Sequence, residues 1–314
     1  MQQSNTGTAT QKKAAFLALL LVCVLPNLVT PPLALAMGFA FAHFLGHPFR
    51  HLNHKATNWL LKASVVGLGF GMNLQSTMET GKEGFWLTIA SVTITLTLGI
   101  LGARLLRLTP KLSHLIASGT AICGGSAIAA LAPVLQVNEK EMSVSLGTVF
   151  LLNAVALLVF PFIGHALDLT QHQFGVWSAI AIHDTSSVVG AASAFGEEAL
   201  RVATTVKLAR ALWIVPVAFL SSLAFGTSGR NIRFPWFIGL FAGAMLLNSF
   251  FPAAGLLNHH IVSLSKAGLT VTLFLVGAGL SAESVKAVGW RPLVLGISLW
   301  VTISVLSLGV ILYV

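Results

Sequence analysis

Residues 118–126 read SGTAICGGS and interrupt an apolar segment, 112–135, that is otherwise long enough to cross a membrane. Adjacent glycines weaken a helix, and serine and threonine side chains can bind the backbone groups that an unwound turn releases. Such backbone is tolerated inside a membrane only where it is buried in protein or lines a cavity. The stretch therefore predicts a broken helix, and close packing of continuous helices through small residues is the alternative.

The composition around this break is that of an integral membrane protein. Hydrophobic residues make up 55% of the 314 residues and charged residues only 9%, against about 25% charged residues in soluble domains. Apolar runs of about 20 residues recur, which is the length of membrane helices and not of barrel strands. We predict an all-α integral membrane protein with about eleven transmembrane helices: 14–30, 31–46, 56–74, 84–106, 112–135, 141–163, 174–196, 200–222, 235–252, 261–281 and 292–314.

The basic residues of the loops indicate how the chain is oriented in the membrane. Residues 1–11 are polar and predict a disordered N-terminal tail, followed by a single polytopic domain, 12–314. If residue 1 is cytoplasmic, the inside loops hold eleven Lys and Arg and the outside loops hold three, Lys82, Lys140 and Arg201. The positive-inside rule then places the N-terminus in the cytoplasm and the C-terminus outside. The basic residues are scattered over loops that meet anionic lipid, so nucleic acid is not an expected partner.

Three charged side chains lie deep inside the predicted spans. Asp184 belongs to the run His183-Asp184-Thr185-Ser186-Ser187, and Lys207 and Arg210 share one helical face because they are three residues apart. Each unpaired charge costs roughly 2.5–3.5 kcal/mol at the centre of a membrane helix. Two cations facing one carboxylate leave one positive charge over, which a bound anion would satisfy. A purely structural ion pair is the alternative.

These two polar regions predict a binding site for a small anion. Half-helix N-termini in a broken helix direct partial positive charge into the membrane, which suits an anionic ligand. His183 and Asp184 are predicted to couple transport to a proton or a sodium ion, or to hold the cations in place, since histidine titrates near physiological pH. A neutral, hydrogen-bonded His183 is the alternative. The predicted substrate-binding residues are Gly119, Thr120, Cys123, Gly124, Gly125, Ser126, Ser187, Lys207 and Arg210.

Other chemistry is not indicated by the sequence. The run Gly67-x-Gly69-x-Gly71 lies inside an apolar span with no strand before it, so it is not a dinucleotide-binding fingerprint. Two histidine pairs in loops lack cysteine or carboxylate partners at metal-ligand spacing. No nucleotide-binding motif and no catalytic constellation is evident. We therefore expect no enzymatic activity, no cofactor and no bound metal.

An internal repeat relates two distant parts of the chain. Residues 32–74 and 235–280 share a pattern of proline, asparagine–histidine and glycine positions, with an offset between 203 and 206. A displacement of seven helices, an odd number, gives the two copies opposite orientations, and inverted repeats are typical of transporters. The breaks in spans five and seven run in the same direction in this segmentation, so they do not fit this repeat.

The break also resembles a known family signature. Residues 115–127, LIASGTAICGGSA, with Ala132-Pro133-Val134 are similar to the glycine- and cysteine-containing motif of the YeiH-type family, whose members are designated sulfate exporters. The resemblance covers roughly residues 30–310. Glutamate often follows the histidine in that family, where this chain has Asp184. Further matches lie at Gly69-Phe70-Gly71, His183-Asp184, Lys207-Leu208-Ala209-Arg210, Pro235-Trp236-Phe237 and Gly279-Leu280.

This resemblance implies a transporter of the bacterial inner membrane. The implied fold is similar to that of sodium/proton antiporters and bile-acid transporters, with crossing broken helices and inverted repeats. The implied function is ion-coupled secondary transport of a small, sulfate-like anion. A cation/proton antiporter that uses Asp184, or a channel or membrane sensor, remains the alternative. The expected partners are the anion, a coupling proton or sodium ion, membrane lipids and, through its glycine-rich helices, a second copy in a homodimer.

Overall fold

The computed structural model describes the backbone of residues 4–25, 28–226, 236–250, 255–279 and 289–313. The regular structure of these residues is helical, which confirms the all-α prediction. A 3₁₀ turn, Gly69–Gly71, follows the third helix. The helices are α1 Ser4–Val24, α2 Pro31–Leu45, α3 Arg50–Leu68, α4 Leu74–Leu106, α5 Pro110–Ala121, α6 Gly125–Leu135, α7 Glu139–Ala166, α8 Gln171–Ala181, α9 Thr185–Phe195, α10 Glu197–Ala211, α11 Ile214–Ala224, α12 Trp236–Phe250, α13 Gly255–Gly279 and α14 Trp290–Tyr313.

Five stretches of helix in the described chain are long and apolar enough to cross a membrane. They are Thr77–Leu106, Glu139–Ala166, Glu197–Ala224, Leu257–Gly279 and Trp290–Tyr313. Large apolar side chains on their outer faces are exposed, among them Leu105 at 85% and Phe162 at 75%. Because soluble proteins rarely expose so many large apolar residues, these faces are suited to contact with lipid. The chain is an integral membrane protein.

The first helix begins earlier than the sequence predicts. Helix α1 starts at Ser4, within the stretch 1–11 for which we predict a disordered tail. Residues 4–13 contain no proline, and Ala9, Gln11, Lys12 and Lys13 are good helix formers that allow the helix to extend beyond its apolar part. Residues 1–3 lie outside the described residues.

The contacts divide the chain into two compact units. Unit 1 holds residues 1–74 and 237–282, and unit 2 holds residues 75–236 and 283–314. Both copies of the predicted repeat, 32–74 and 235–280, therefore fall almost entirely within unit 1. All residues of the predicted substrate site fall within unit 2.

Helices α3 and α13 of unit 1 pack in opposite directions. Gly67 lies against Ser265 and Gly268 lies against Ser64, so the same Ser-x-x-Gly pattern occurs on both helices and each glycine receives the other helix's serine. Asn53 Nδ2, near the start of α3, donates to Leu275 O near the end of α13, 2.9 Å away. The predicted inversion of the two copies requires this arrangement. Its matches at residues 235, 252 and 280 lie outside the described residues.

In unit 2, the segment 110–135 folds back on itself. Lys111 Nζ, in the first turn of α5, donates to Gln136 O beyond the end of α6, 3.3 Å away. A straight helix would separate these residues by roughly 37 Å. Gly119 also packs against Ile128 of the returning helix. Helices α5 and α6 are therefore the two arms of a hairpin, hairpin 1, whose tip is residues 122–124.

The segment 171–195 forms a second hairpin that enters from the other end of α7. The rings of Phe174 in α8 and Phe195 in α9 stack with centroids 3.9 Å apart. Phe195 also stacks on His165 at the C-terminal end of α7, whereas Thr109 at the open end of hairpin 1 donates to Glu141 at the N-terminal end. Since Glu141 and His165 are 24 residues apart on α7, about 36 Å of helix separates the two open ends. We call α8 and α9 hairpin 2 and residues 182–184 its tip.

The two hairpins correct the predicted segmentation. The breaks at 118–126 and 183–187 are present, but neither segment 112–135 nor segment 174–196 continues in one direction after its break, because each folds back on itself. Hydropathy cannot distinguish the two cases, since two half-length apolar helices give the same signal as one full-length helix. These two segments are the predicted spans five and seven, which did not fit the repeat found in the sequence.

The hairpins make a testable prediction about sidedness. Cysteine substitutions of Arg107 and Gln136, at the open end of hairpin 1, are expected to react with a membrane-impermeant thiol reagent from the same side of the membrane. Cysteines at Asp168 and Glu197, at the open end of hairpin 2, are expected to react from the opposite side. The two native cysteines, Cys23 and Cys123, are buried, and labelling of the unsubstituted protein measures their background reaction. Labelling of positions 107 and 136 from opposite sides would restore the spanning interpretation.

Candidate functional site

The tip of hairpin 1 is built around a glycine in a conformation that other residues avoid. Helix α5 begins with Pro110 after Thr109, whose hydroxyl accepts from Leu112 N. It ends at Ala121, and Gly124 has φ +64° and ψ −128°. Gly124 N donates to Gly119 O, 2.8 Å away, which closes the turn. The glycine pair of the sequence thus marks the reversal of the chain.

The tip of hairpin 2 is capped by a carboxylate. Ile182 is extended and ends α8, and Asp184 is the N-cap of α9. One oxygen of the Asp184 carboxylate accepts from the amides of Ser186 and Ser187, at 3.1 and 3.4 Å, and from the Ser186 hydroxyl. A negative charge at this position stabilises the positive N-terminal end of α9.

The two tips touch each other near the middle of unit 2. A Cβ on Gly124 would lie 3.2 Å from Asp184 Cα and 3.3 Å from both Asp184 N and Cβ. The backbones of the two hairpins therefore meet so closely that a side chain at Gly124 would require the neighbouring Asp184 to shift by a few tenths of an ångström. This contact brings together Gly124 and Asp184, which the sequence predicts to belong to one site.

The two buried cations bind the ends of the hairpin arms. Lys207 and Arg210 are both fully buried on α10. Lys207 Nζ donates to Ala179 O and Ile182 O of hairpin 2, at 3.2 and 2.7 Å. Arg210 Nη1 donates to Ile180 O of hairpin 2 at 2.8 Å, and its Nε donates to Ala121 O of hairpin 1. Arg210 thus connects the two hairpins.

These bonds show whether the cations and Asp184 form the ion pair that the sequence left open as an alternative. Within the described part of the chain, the hydrogen bonds of Lys207 and Arg210 go to backbone carbonyls, and those of the Asp184 carboxylate go to Ser186 and Ser187. The cations compensate the partial negative charge at the C-terminal ends of α5 and α8. They do not form a direct ion pair with Asp184.

The sequence analysis missed one residue of this site, Asn153 in the middle of α7. Its Oδ1 accepts from two consecutive amides of the hairpin 2 tip, His183 N at 3.0 Å and Asp184 N at 3.2 Å. A single asparagine in the run FLLNAVALL was the signal that could have identified it, because a lone polar residue inside an apolar membrane helix is costly unless it has a partner.

The other predicted site residues are placed as follows. Cys123 is buried in the tip of hairpin 1. Gly119 and Gly125 pack against α7, where a Cβ on Gly125 would lie 2.9 Å from the Phe150 ring. Ser126 is exposed, whereas Ser187 is buried in the first turn of α9. Direct contact of these residues with a substrate stays a prediction.

Several polar atoms around the tips are buried without a hydrogen-bond partner among the described residues. They lie on α5, α7, α10 and the tip of hairpin 2. Burying such a group without a partner costs roughly 1–3 kcal/mol, so water or a ligand is expected to satisfy them. They are Ser118 Oγ, Thr120 Oγ1, Asn153 Nδ2, both ring nitrogens of His183 and Arg210 Nη2.

Each hairpin and the helix after it form one copy of a second repeat. With an offset of 60 residues, Ser118, Ala121, Ile122 and Ser126 match Ser178, Ala181, Ile182 and Ser186, and Gly124 corresponds to Asp184. Asn153 and Arg210 lie near the midpoints of the helices after each hairpin, Glu139–Ala166 and Glu197–Ala224. Asn153 binds the tip of hairpin 2, and Arg210 binds Ala121 O at the end of α5 in hairpin 1, so each of them contacts the other copy's hairpin. The two copies enter from opposite ends of α7, so they are inverted.

Comparisons with known proteins identify the family. The chain matches the family model described as conserved hypothetical protein 698 over residues 9–296. A UPF0324 membrane protein of Bacteroides thetaiotaomicron is 53% identical over 288 residues, covering 91% of this chain and 87% of the relative. One from Geobacter sulfurreducens is 48% identical over 297 residues, covering 95% of each. No solved structure matches the chain significantly. This chain therefore belongs to the UPF0324 family of membrane proteins, the YeiH-type family that its break motif resembles.

Proposed function

We propose that this protein is a secondary transporter of a small anion, which binds where the tips of the two hairpins meet. The observation that carries the proposal is the contact of Gly124 with Asp184, together with Arg210, which binds both hairpins at that point. Two half-helix N-termini, those of α6 and α9, begin at the tips. Such ends are used for anion binding in membranes because their amides and dipoles direct positive charge inward.

The difference between the two tips favours hairpin 1 as the anion site. Asp184 already occupies the amides at the start of α9, whereas Gly124, at the corresponding position of hairpin 1, provides no side-chain cap for α6. The Gly125 and Ser126 amides at the start of α6 therefore have no such cap, and we assign the anion to them. The side chains Lys207, Arg210 and Asp184 sum to one positive charge, which an anion at this end would neutralise.

Opposed hairpins suit transport better than a permanent pore. Hairpin 1 covers the meeting point from one end of α7, and hairpin 2 covers it from the other. Displacement of one hairpin would expose the site to one side while the other hairpin keeps it closed. Alternating exposure of this kind around a fixed mid-membrane site is the general mechanism of secondary transporters.

The hairpins also refine the proposed topology. If segments 110–135 and 171–195 do not cross, nine crossings remain of the eleven, which leaves the N-terminus inside and the C-terminus outside. Lys140 then moves to the inner side, so the inner loops hold twelve Lys and Arg (eleven plus one) and the outer loops two (three minus one). The stronger asymmetry supports this orientation in a bacterial inner membrane.

A second candidate is a cation/proton antiporter, and one observation favours it. Asp184 is partly exposed, unlike His183, Lys207 and Arg210. A solvent-accessible carboxylate inside a membrane protein can bind a proton or a sodium ion. In the anion transporter, the same carboxylate and the neighbouring His183 serve for ion coupling, so Asp184 contributes to either mechanism.

Uptake into proteoliposomes tests the proposal. The wild-type protein is expected to accumulate at least one labelled anion from a panel of sulfate, sulfite, phosphate, nitrate, chloride and formate, with saturation kinetics and counterflow. Asp184→Asn is expected to retain counterflow of that anion but to lose its dependence on an ion gradient. Sodium- or potassium-driven proton movement without any anion flux, abolished in Asp184→Asn, would replace the proposal with the antiporter.

A further inference from the structure

Asn153 has a free donor at the meeting point of the hairpins. Its side chain is 3% exposed, and its Oδ1 accepts from both His183 N and Asp184 N. Because both partners are N–H donors, the atom that faces them is the oxygen. The amide nitrogen Nδ2 therefore points elsewhere, and it has no partner among the described residues.

The position of Asn153 places this donor near the proposed site. Asn153 contacts the tip of hairpin 2 directly, and that tip packs against Gly124 at the start of the uncapped helix α6. Helix α7 also follows α5 closely, since a Cβ on Gly119 would lie 3.2 Å from Val149 Cγ2. Val149 is one turn before Asn153 on the same face. The asparagine thus lies between the two hairpins.

Arg210, which binds both hairpins, also leaves one donor without a partner among the described residues. Its Nε and Nη1 bind one carbonyl from each hairpin, while Nη2 is buried without a partner among the described residues. Asn153 Nδ2 and Arg210 Nη2 can donate but cannot accept, and the amides at the start of α6 add further donors. A ligand that satisfies groups on three different helices needs several acceptor atoms.

We propose that Asn153 is a ligand-binding residue that donates from Nδ2 to the anion, and that the ligand is a small oxyanion. This inference rests on the proposed function. The residue then has two roles at once, since Oδ1 fixes the tip of hairpin 2 and Nδ2 binds the anion. Because one side chain contacts both, movement of hairpin 2 would change the position of the donor that binds the anion.

Asn153→Asp separates the two roles. The carboxylate can still accept from His183 N and Asp184 N, but it has no donor and repels an anion. Asn153→Leu also lacks the donor and adds no charge. Both variants are expected to weaken binding of the most effective oxyanion about 10- to 100-fold, the usual effect of losing a hydrogen bond to a charged group. Thr148→Val on the same helix, whose hydroxyl bonds only Val144 O in the described chain, is the matched control.

The measurement is thermal unfolding of the purified protein, titrated with sulfate, sulfite, phosphate, nitrate, formate and chloride. The wild type and Thr148→Val are expected to be stabilised by an oxyanion and less by chloride. Without added anion, both Asn153 variants are expected to unfold at a lower temperature than the wild type, so the readout is the shift that each anion adds to a variant's own unfolding temperature. If an oxyanion raises the unfolding temperature of Asn153→Asp or Asn153→Leu as much as that of the wild type, the role of Asn153 is wrong, but the proposed anion transport is unaffected. If no anion stabilises the wild type, the proposed function fails with it.

Discussion

Replacing Arg210 with alanine is expected to abolish anion transport and to destabilise the protein. The change leaves Ala121 O and Ile180 O without their donor, in a region that water does not reach easily. Each unsatisfied group costs about 1–3 kcal/mol, and the connection between the hairpins is lost. The measurements are anion uptake in proteoliposomes and thermal unfolding in detergent.

Two further variants make this result interpretable. Arg210→Lys keeps the charge, but its point-like ammonium lacks the planar fork that binds carbonyls of both hairpins. It is expected to fold more stably than the alanine variant and still to transport at least about tenfold more slowly. Arg201→Ala removes a charge from the exposed first turns of the same helix and is expected to behave as wild type. Transport at the wild-type rate in Arg210→Lys and Arg210→Ala would contradict the proposed role.

Replacing Gly124 with alanine is the second change with a large expected effect. The added Cβ would lie 3.2–3.3 Å from three atoms of Asp184, and φ +64° with ψ −128° is a region that costs other residues about 1–3 kcal/mol. The tips of the two hairpins would have to move apart by a few tenths of an ångström, in addition to the backbone strain. We expect at least a tenfold loss of transport and a lower unfolding temperature.

Gly46 provides the matched control for this substitution. It also has a positive φ, +78° with ψ 160°, but a Cβ there would meet nothing within 4 Å. Gly46→Ala therefore measures backbone strain alone, and it is expected to reduce stability without a specific loss of transport. Equal losses in both variants would show that strain, and not the contact between the tips, explains the effect at Gly124.

The sequence located polar residues that meet in unit 2, but it did not predict their geometry. The cost of charge in lipid identified Asp184, Lys207 and Arg210, and the glycine run identified the break at 118–126. Neither signal states where the chain goes after the break. Reversal of the chain depends on long-range contacts such as Lys111 with Gln136 and Phe174 with Phe195, which no local pattern encodes.

The sequence also did not predict which groups the charged side chains bind. Counting side-chain charges suggested that Asp184 could pair with the cations, but the count omits the partial charges of helix ends. In the structure, the cations bind carbonyls at the ends of α5 and α8, and Asp184 binds amides at the start of α9. Those helix ends exist only because the hairpins form. Asn153 was missed because its role depends on the tip of hairpin 2.

The most direct test of the account is a density map of the protein in lipid, with and without the anion that it transports. We predict density for the anion at the start of α6, within hydrogen-bonding distance of the Gly125 and Ser126 amides and Arg210 Nη2. A map that shows the transported anion bound away from both hairpin tips would contradict the account.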